Sequence, residues 1–240
     1  MQNIVAIHQP NFLPWLGYFD KMARCDSFVF LDDVQIQKTG GGWANRVKMA
    51  VSGQAKWITA PIDRSYHGVR NINETRFVVE NDWRQTVLKT LRASYRRAPY
   101  FSYAMNLLEP LLLNPDDNLS TYNSNCILGI ASELGISKEK CRWSSSLTHS
   151  GQSNDLLVSI VQTVNGNAYM CGGGASGYQD PQFFAEASIS LVYQNFVPDP
   201  YPQINTDVFV AGLSIVDVLM NIGMDGAREM LSNSAGRAST

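Results

Sequence analysis

The chain has 240 residues, a formal net charge of -2, 45% hydrophobic residues and 17% charged residues. This composition fits a globular core and excludes a disordered polymer, and the near-neutral charge gives no general attraction to nucleic acid or anionic lipid. No uninterrupted apolar run is long enough to span a bilayer, and the N-terminus lacks the basic region and apolar stretch of a secretory leader, so a cytoplasmic location is expected.

In chain order, Ile4 to Ile7 is a short apolar run that stops at His8-Gln9-Pro10-Asn11. A loop holding Pro14 and Gly17 follows, then a predicted helix near Tyr18 to Cys25 and a second apolar run from Ser27 to Leu31 that ends in Asp32-Asp33. Strand, polar loop, helix and strand make a βαβ unit, whose ligand crevice lies at the carboxyl ends of its strands. Gln35 to Arg46 is a glycine-interrupted connection carrying Lys38, Trp43, Asn45 and Arg46. Lys56 to Pro61 is a predicted strand with Trp57 and Ile58 as its core, and Asn71 to Val79 is a further β-type stretch.

Asp82 to Tyr95 reads as an amphipathic helix capped by Asp82, with Trp83, Val87, Leu88, Leu91 and Tyr95 on one face. Helices are predicted over Tyr100 to Leu113 and Leu119 to Leu134, with Gly135 at the C-cap. Lys140 to Ser146 is a strand ending in three serines, Ser153 to Val164 a helix, and Asn167 to Met170 a short strand entering a glycine-rich loop. Pro181 to Ala187 is a helix, Ile189 to Phe196 a strand, and Leu213 to Ile222 the last apolar helix, ended by Gly223. Residues 232–240 are small and polar and are expected to fray. The alternation predicts one α/β domain over 1–231, with a mainly parallel Rossmann-like sheet and an inserted helical lobe at about 82–135.

Several clusters are candidates for chemistry. His8, Gln9 and Asn11 put donors and acceptors at a strand end, with His8 as acid or base; alternatively they order their own loop. Trp15-Leu16-Gly17-Tyr18 lies where a phosphate-binding helix start would be, with aromatics suited to stacking or to packing. Asp32, Asp33 and Gln35 can meet substrate or metal, or pair with Lys38 and Arg46. Ser144 and Ser145, with His149 nearby, suggest nucleophilic chemistry, but no GxSxG elbow is present; serines at a strand end also bind ligand oxygens or cap a helix. Gly172, Gly173, Gly174 and Tyr178 form a loop open to close backbone approach, though not a P-loop. The four cysteines, Cys25, Cys126, Cys141 and Cys171, are scattered without a CxxC pair, so no zinc site is expected.

Together these stretches resemble the WbqC-like family. The resemblance runs through IHQPNFLPWLGYFDKM (Ile7 to Met22), FVFLDDVQIQK (Phe28 to Lys38), WANR (Trp43 to Arg46), YRRAPYF (Tyr95 to Phe101), SSSL (Ser144 to Leu147), the glycine loop and LSIVDVLMNIG (Leu213 to Gly223). The chain departs from the pattern in its glycine run Gly40 to Gly42 and at Met170-Cys171-Gly172. The resemblance implies a bacterial enzyme of surface-polysaccharide (O-antigen) biosynthesis. It suggests acyl or aminoacyl transfer to a nucleotide-linked amino sugar, with the sugar nucleotide as small-molecule substrate. His8 and Asp32 are then the catalytic candidates. Gln9, Asn11, Trp15, Tyr18, Asp33, Gln35, Lys38, Asn45, Arg46, Ser144, Ser145, Gly172, Gly173, Gly174 and Tyr178 are the substrate-binding candidates, with Lys38 and Arg46 on phosphate. The alternatives are a Mg-dependent nucleotidyl or glycosyl transferase, or a non-catalytic partner of polysaccharide-assembly enzymes. The sequence identifies no cofactor and no oligomeric state.

Overall fold

The computed structural model describes residues 2–37, 42–78, 82–172, 179–204 and 206–237; Lys38, Gly173, Gly174 and Tyr178 lie outside the described residues. The elements in order are β1 (Ile4–His8), α1 (Leu16–Arg24), β2 (Ser27–Phe30), β3 (Arg46–Val51), β4 (Gln54–Thr59), α2 (Trp83–Tyr95), α3 (Phe101–Leu112) and α4 (Leu119–Glu133). They continue with β5 (Cys141–Trp143), α5 (Asn154–Thr163), β6 (Ala168–Cys171), α6 (Pro181–Glu186), β7 (Ser190–Tyr193) and α7 (Ile215–Arg237).

The expected α/β fold is present as a five-stranded parallel sheet in the order β5-β2-β1-β6-β7. The chain starts in the middle at β1, steps outward through β2 to β5, then returns to the other side of β1 for β6 and β7. This is a Rossmann-like order, and it reverses between β1 and β6. Side chains alternate across the sheet. Val5, Ile7, Val29, Tyr169 and Cys171 pack with Val158, Ile160 and Val161 of α5 and Phe184 of α6. Ala6, Phe28, Phe30 and Met170 face the larger cluster, which takes in α1, α4 and α7. Crossovers in opposite directions must use opposite faces if both are right-handed. The β1-to-β2 helix, α1, and the β5-to-β6 helix, α5, accordingly sit on different sides.

The inserted segment carries α2, α3 and α4, and their buried residues Trp83, Leu91, Leu108, Tyr122 and Ile127 share the cluster of α1 and α7. It is preceded by an antiparallel hairpin, β3–β4. Its two-residue loop, Ser52-Gly53, has φ of 51° and 78°, the left-handed pair that a tight hairpin twist requires. Trp57 corrects the sequence reading: it is 40% exposed and not a core residue. Its ring lies against Trp43 (centroids 4.9 Å apart) and under the Arg46 guanidinium at 4.2 Å. The β-type stretch after Asn71 is also not a strand. Asn71 and Glu74 form a capping box around a short 3-10 turn, Ile72–Glu74, so the stretch makes only isolated bridges, at Asn71, Arg76 and Phe77.

Gly223 interrupts α7 and does not end it. With φ of 72° it makes a kink, and a Cβ there would stand 2.6 Å from the Tyr100 ring. Helix continues to Arg237, past the point where fraying is expected.

Candidate functional site

The loop after β1 is held from three sides. Asn123 Nδ2 of α4 donates to the carbonyls of Pro10 (2.8 Å) and Ala44 (2.7 Å). Phe12 N donates to Trp43 O, and Ser214 Oγ, just before α7, donates to Leu13 O. Leu13 itself has φ of 41°. Such a leucine is strained and persists where surrounding contacts fix the backbone. The constraint delivers Trp15 and the first turn of α1 to the carboxyl end of β1.

There a cavity of about 460 Å³ opens, bounded by His8 of β1, Trp15, Gly17, Tyr18 and Lys21 of the α1 region, Gly172 after β6, and Gln194 to Val197 after β7. It sits at the strand-order reversal, where open α/β sheets place their ligands. Trp15 leans over Gly17, whose missing side chain makes room for the indole; a Cβ there would stand 2.3 Å from the ring. Phe196 meets Trp15 edge-on at 5.4 Å. Tyr18 donates its hydroxyl to Gln9 O at 3.0 Å and packs its ring 4.7 Å from that of His8.

His8 Nδ1 lies 3.1 Å from Gln9 O, so the ring is a neutral donor there. Burial and then the Lys21 charge push its pKa down to about 3. A neutral imidazole of such low basicity is a hydrogen-bond partner first and a weak base at pH 7. Lys21 is only 4% exposed, and burial lowers its pKa to about 8. Among the described residues its Nζ has a single hydrogen bond, to Ile7 O at 3.3 Å. The neighbouring Asp20, fully buried, turns away to accept from Gln194 Nε2 (2.8 Å) and Arg24 (3.2 Å), which staples α1 to the end of β7.

A second polar cluster lies at the carboxyl ends of β2 and β5. Asp32 is 3% exposed and both of its oxygens are engaged. Oδ1 accepts from Ser145 N and Ser144 Oγ, and Oδ2 from Ser145 Oγ (2.9 Å) and Ser120 Oγ (3.2 Å). This geometry makes Asp32 an anchor for the Ser144–Ser146 turn. Asp33 is more open: Oδ1 accepts from Ser144 Oγ and Oδ2 lies 2.7 Å from His149 Nε2. The carboxylate stands between serine and histidine, whereas a nucleophilic triad needs the histidine in the middle.

The sequence-predicted residues therefore fall into separate places. His8, Trp15, Tyr18 and Gly172 line the switch-point cavity. Asp32, Asp33, Ser144 and Ser145 form the second cluster. Asn45 donates to Ala60 O and holds the turn before β3, and Arg46 stacks on Trp57. Gln35 is exposed and bridges to Asn71, while Asn11 is buried within the loop and Gln9 serves His8 and Tyr18 through its carbonyl. Lys21 and Gln194 are missed by sequence reasoning. For Lys21 the one signal is a lysine four residues after Gly17, on a helix that begins at the crevice; Gln194 gives none. Cys171 ends β6 beside the cavity, but burial raises its thiol pKa, which disfavours the thiolate a nucleophile needs. Among the described residues no group of three or more His, Cys, Asp or Glu is placed to hold a metal, and no helix is long and apolar enough to cross a membrane.

Comparison with known proteins follows this geometry closely in extent. A family model described as the WbqC-like protein family matches residues 9–229, which takes in the loop after β1, the cavity lining other than His8, and most of α7. A Mycobacterium tuberculosis H37Rv protein, named uncharacterized protein Rv1507c, is 31% identical over 225 residues, covering 92% of this chain and 94% of its own. No solved structure matches.

Proposed function

The chain belongs to the WbqC-like protein family, and from that premise we propose that it is a transferase of bacterial surface-polysaccharide (O-antigen) biosynthesis, moving an acyl or aminoacyl group to the amine of a nucleotide-linked sugar. The observation that carries this reading is the switch-point cavity, which gathers an imidazole, an indole, a phenol ring and a lysine at the place where such sheets hold nucleotides. Its volume lies within the range of small-molecule sites.

In this reading Trp15 offers a ring face to a base or sugar, and Gly172 admits the substrate close to the backbone at the end of β6. His8 hydrogen-bonds the sugar near its amine. Burial is the larger cause of the low basicity of His8; an anion beside Lys21 offsets the smaller one, the lysine charge, and so raises the proton affinity of the imidazole in part. The neutral amine attacks the acyl carbon through its lone pair, the bond from that carbon to the leaving group breaks, and the proton the nitrogen gives up passes to the leaving group. Lys38 remains a candidate phosphate contact.

The experiment incubates purified protein with nucleotide-linked amino sugars and activated donors, thioesters and aminoacyl esters, and follows the sugar by mass spectrometry. A product heavier by one acyl or aminoacyl group is expected, with the rate reduced at least tenfold in His8→Gln. No product from any donor, together with no binding of a nucleotide-linked sugar by calorimetry, overturns the reading.

A further inference from the structure

We propose that Lys21 is the anchoring cation for a phosphate or carboxylate carried by the ligand of the switch-point cavity, so that an anionic group is required of whatever fills it. The inference rests on the reading of this cavity as the substrate site and adds the charge of its occupant.

Lys21 belongs to a helix packed against the central core, yet its ammonium is buried with one long hydrogen bond to Ile7 O. Among the described residues no carboxylate lies within 4.0 Å of it, whereas the neighbouring polar side chains of α1 have partners: Asp20 Oδ2 with Gln194 and Arg24, Tyr18 with Gln9. A buried ammonium left without a counter-charge is costly, and a lysine used only for packing would be better served by methionine. An ammonium has three donors, and the single bond leaves capacity for an oxyanion.

The surroundings agree in sign. α1 begins at the same cavity, with Trp15 as a cap that supplies no side-chain acceptor and with no acid in its first turn. Its positive dipole end therefore meets the cavity without an acidic side chain in the first turn to oppose it. His8 is kept neutral, so Lys21 is the charged side chain on the lining. Arg46, the arginine expected on phosphate, is instead engaged over Trp57 on the hairpin. A structural role, in which Lys21 merely ties α1 to the end of β1, predicts the opposite response to its removal.

The test titrates full-length protein with pyrophosphate and, separately, with acetate by calorimetry at pH 8, in two buffers of different ionisation heat. Lys21→Met and Lys21→Arg are compared by the same titration and by thermal melting. Wild type is expected to bind one anion and to take up about half a proton at pH 8, because an amine with a pKa of about 8 is half neutral there. Lys21→Met is expected to bind at least tenfold more weakly while melting at or above the wild-type temperature, and Lys21→Arg to retain part of the affinity. Preference for pyrophosphate assigns the anion to phosphate, and preference for acetate assigns it to carboxylate. Neither anion binding wild type, or unchanged binding in Lys21→Met, overturns the proposal. So does a Lys21→Met protein that fails to fold. Pyrophosphate binding in a protein that transfers no acyl group leaves this inference standing and removes only the reaction.

Discussion

Replacing Lys21 by methionine tests the energetic side of the account. Burial takes the ammonium from its ordinary pKa of 10.5 to about 8. At about 1.4 kcal/mol per tenfold change in proton affinity, holding that charge in the fold costs about 3 kcal/mol at pH 7. The hydrogen bond to Ile7 O returns about 1 kcal/mol, so the variant should gain about 2 kcal/mol, which is about 5 °C in melting temperature for a chain of this size. The sign also fixes the pH dependence. The folded lysine releases its proton more readily than the unfolded one, so wild-type stability rises with pH between about 8 and 10.5, and the variant lacks that rise. The variant should lead by about 2 kcal/mol below pH 8, the two should cross between about pH 9 and 10, and wild type should lead by about 1 kcal/mol above pH 10.5 in urea titrations. A variant less stable than wild type at pH 7, or a gap that does not close at high pH, would refute the reasoning.

Other substitutions separate scaffold from site. His8→Gln should remove stability that wild type has above pH 6.5 and loses as pH falls toward 3, a slope of at most about 1.4 kcal/mol per pH, read from melts across pH 4 to 7. Gly17→Ala places a methyl against the Trp15 indole, so it should cost about 1–3 kcal/mol, shift tryptophan fluorescence and weaken ligand binding. Asp32→Ala strands the hydroxyls of Ser120 and Ser145 and the Ser145 amide and should cost about 2–4 kcal/mol by urea unfolding, whereas Asp33→Ala, at a more open position, should cost less than half of that. Asp217→Ala removes the shared acceptor of Tyr95, Tyr201 and Gln203, and should cost about 3 kcal/mol in the same assay.

The parts of the fold legible in the sequence are those written in local signals. The apolar run into His8, the Asp82 cap, the helical spacing through Tyr95 and the C-cap at Gly135 each mark an element boundary that short-range chemistry determines. The β3 strand escaped because its half-buried pattern is short and its marker is only the Ser52-Gly53 turn. Trp57 reads as a core residue in sequence because indole is large and apolar, while its partners, Trp43 and Arg46, meet it only in the folded chain.

At the candidate site the division is similar. His8, Trp15 and Tyr18 stand out as a polar and aromatic interruption after a strand. Lys21 and Gln194 do not, because a lysine on a helix reads as a solvated charge until the packing of α1 buries it, and Gln194 reaches Gly17 and Asp20 only after β7 joins the sheet. Asp32 and Asp33 look alike in sequence. Their different neighbours make one an anchor and leave the other open to His149.

The structure of the protein bound to a nucleotide-linked amino sugar tests the central claim most directly. The account predicts a phosphate oxygen at about 2.7–3.2 Å from Lys21 Nζ, with the sugar amine beside His8 and a ring over Trp15. A ligand seated on the Trp43–Trp57 hairpin or against the Asp33–His149 pair, with Lys21 untouched, would contradict it.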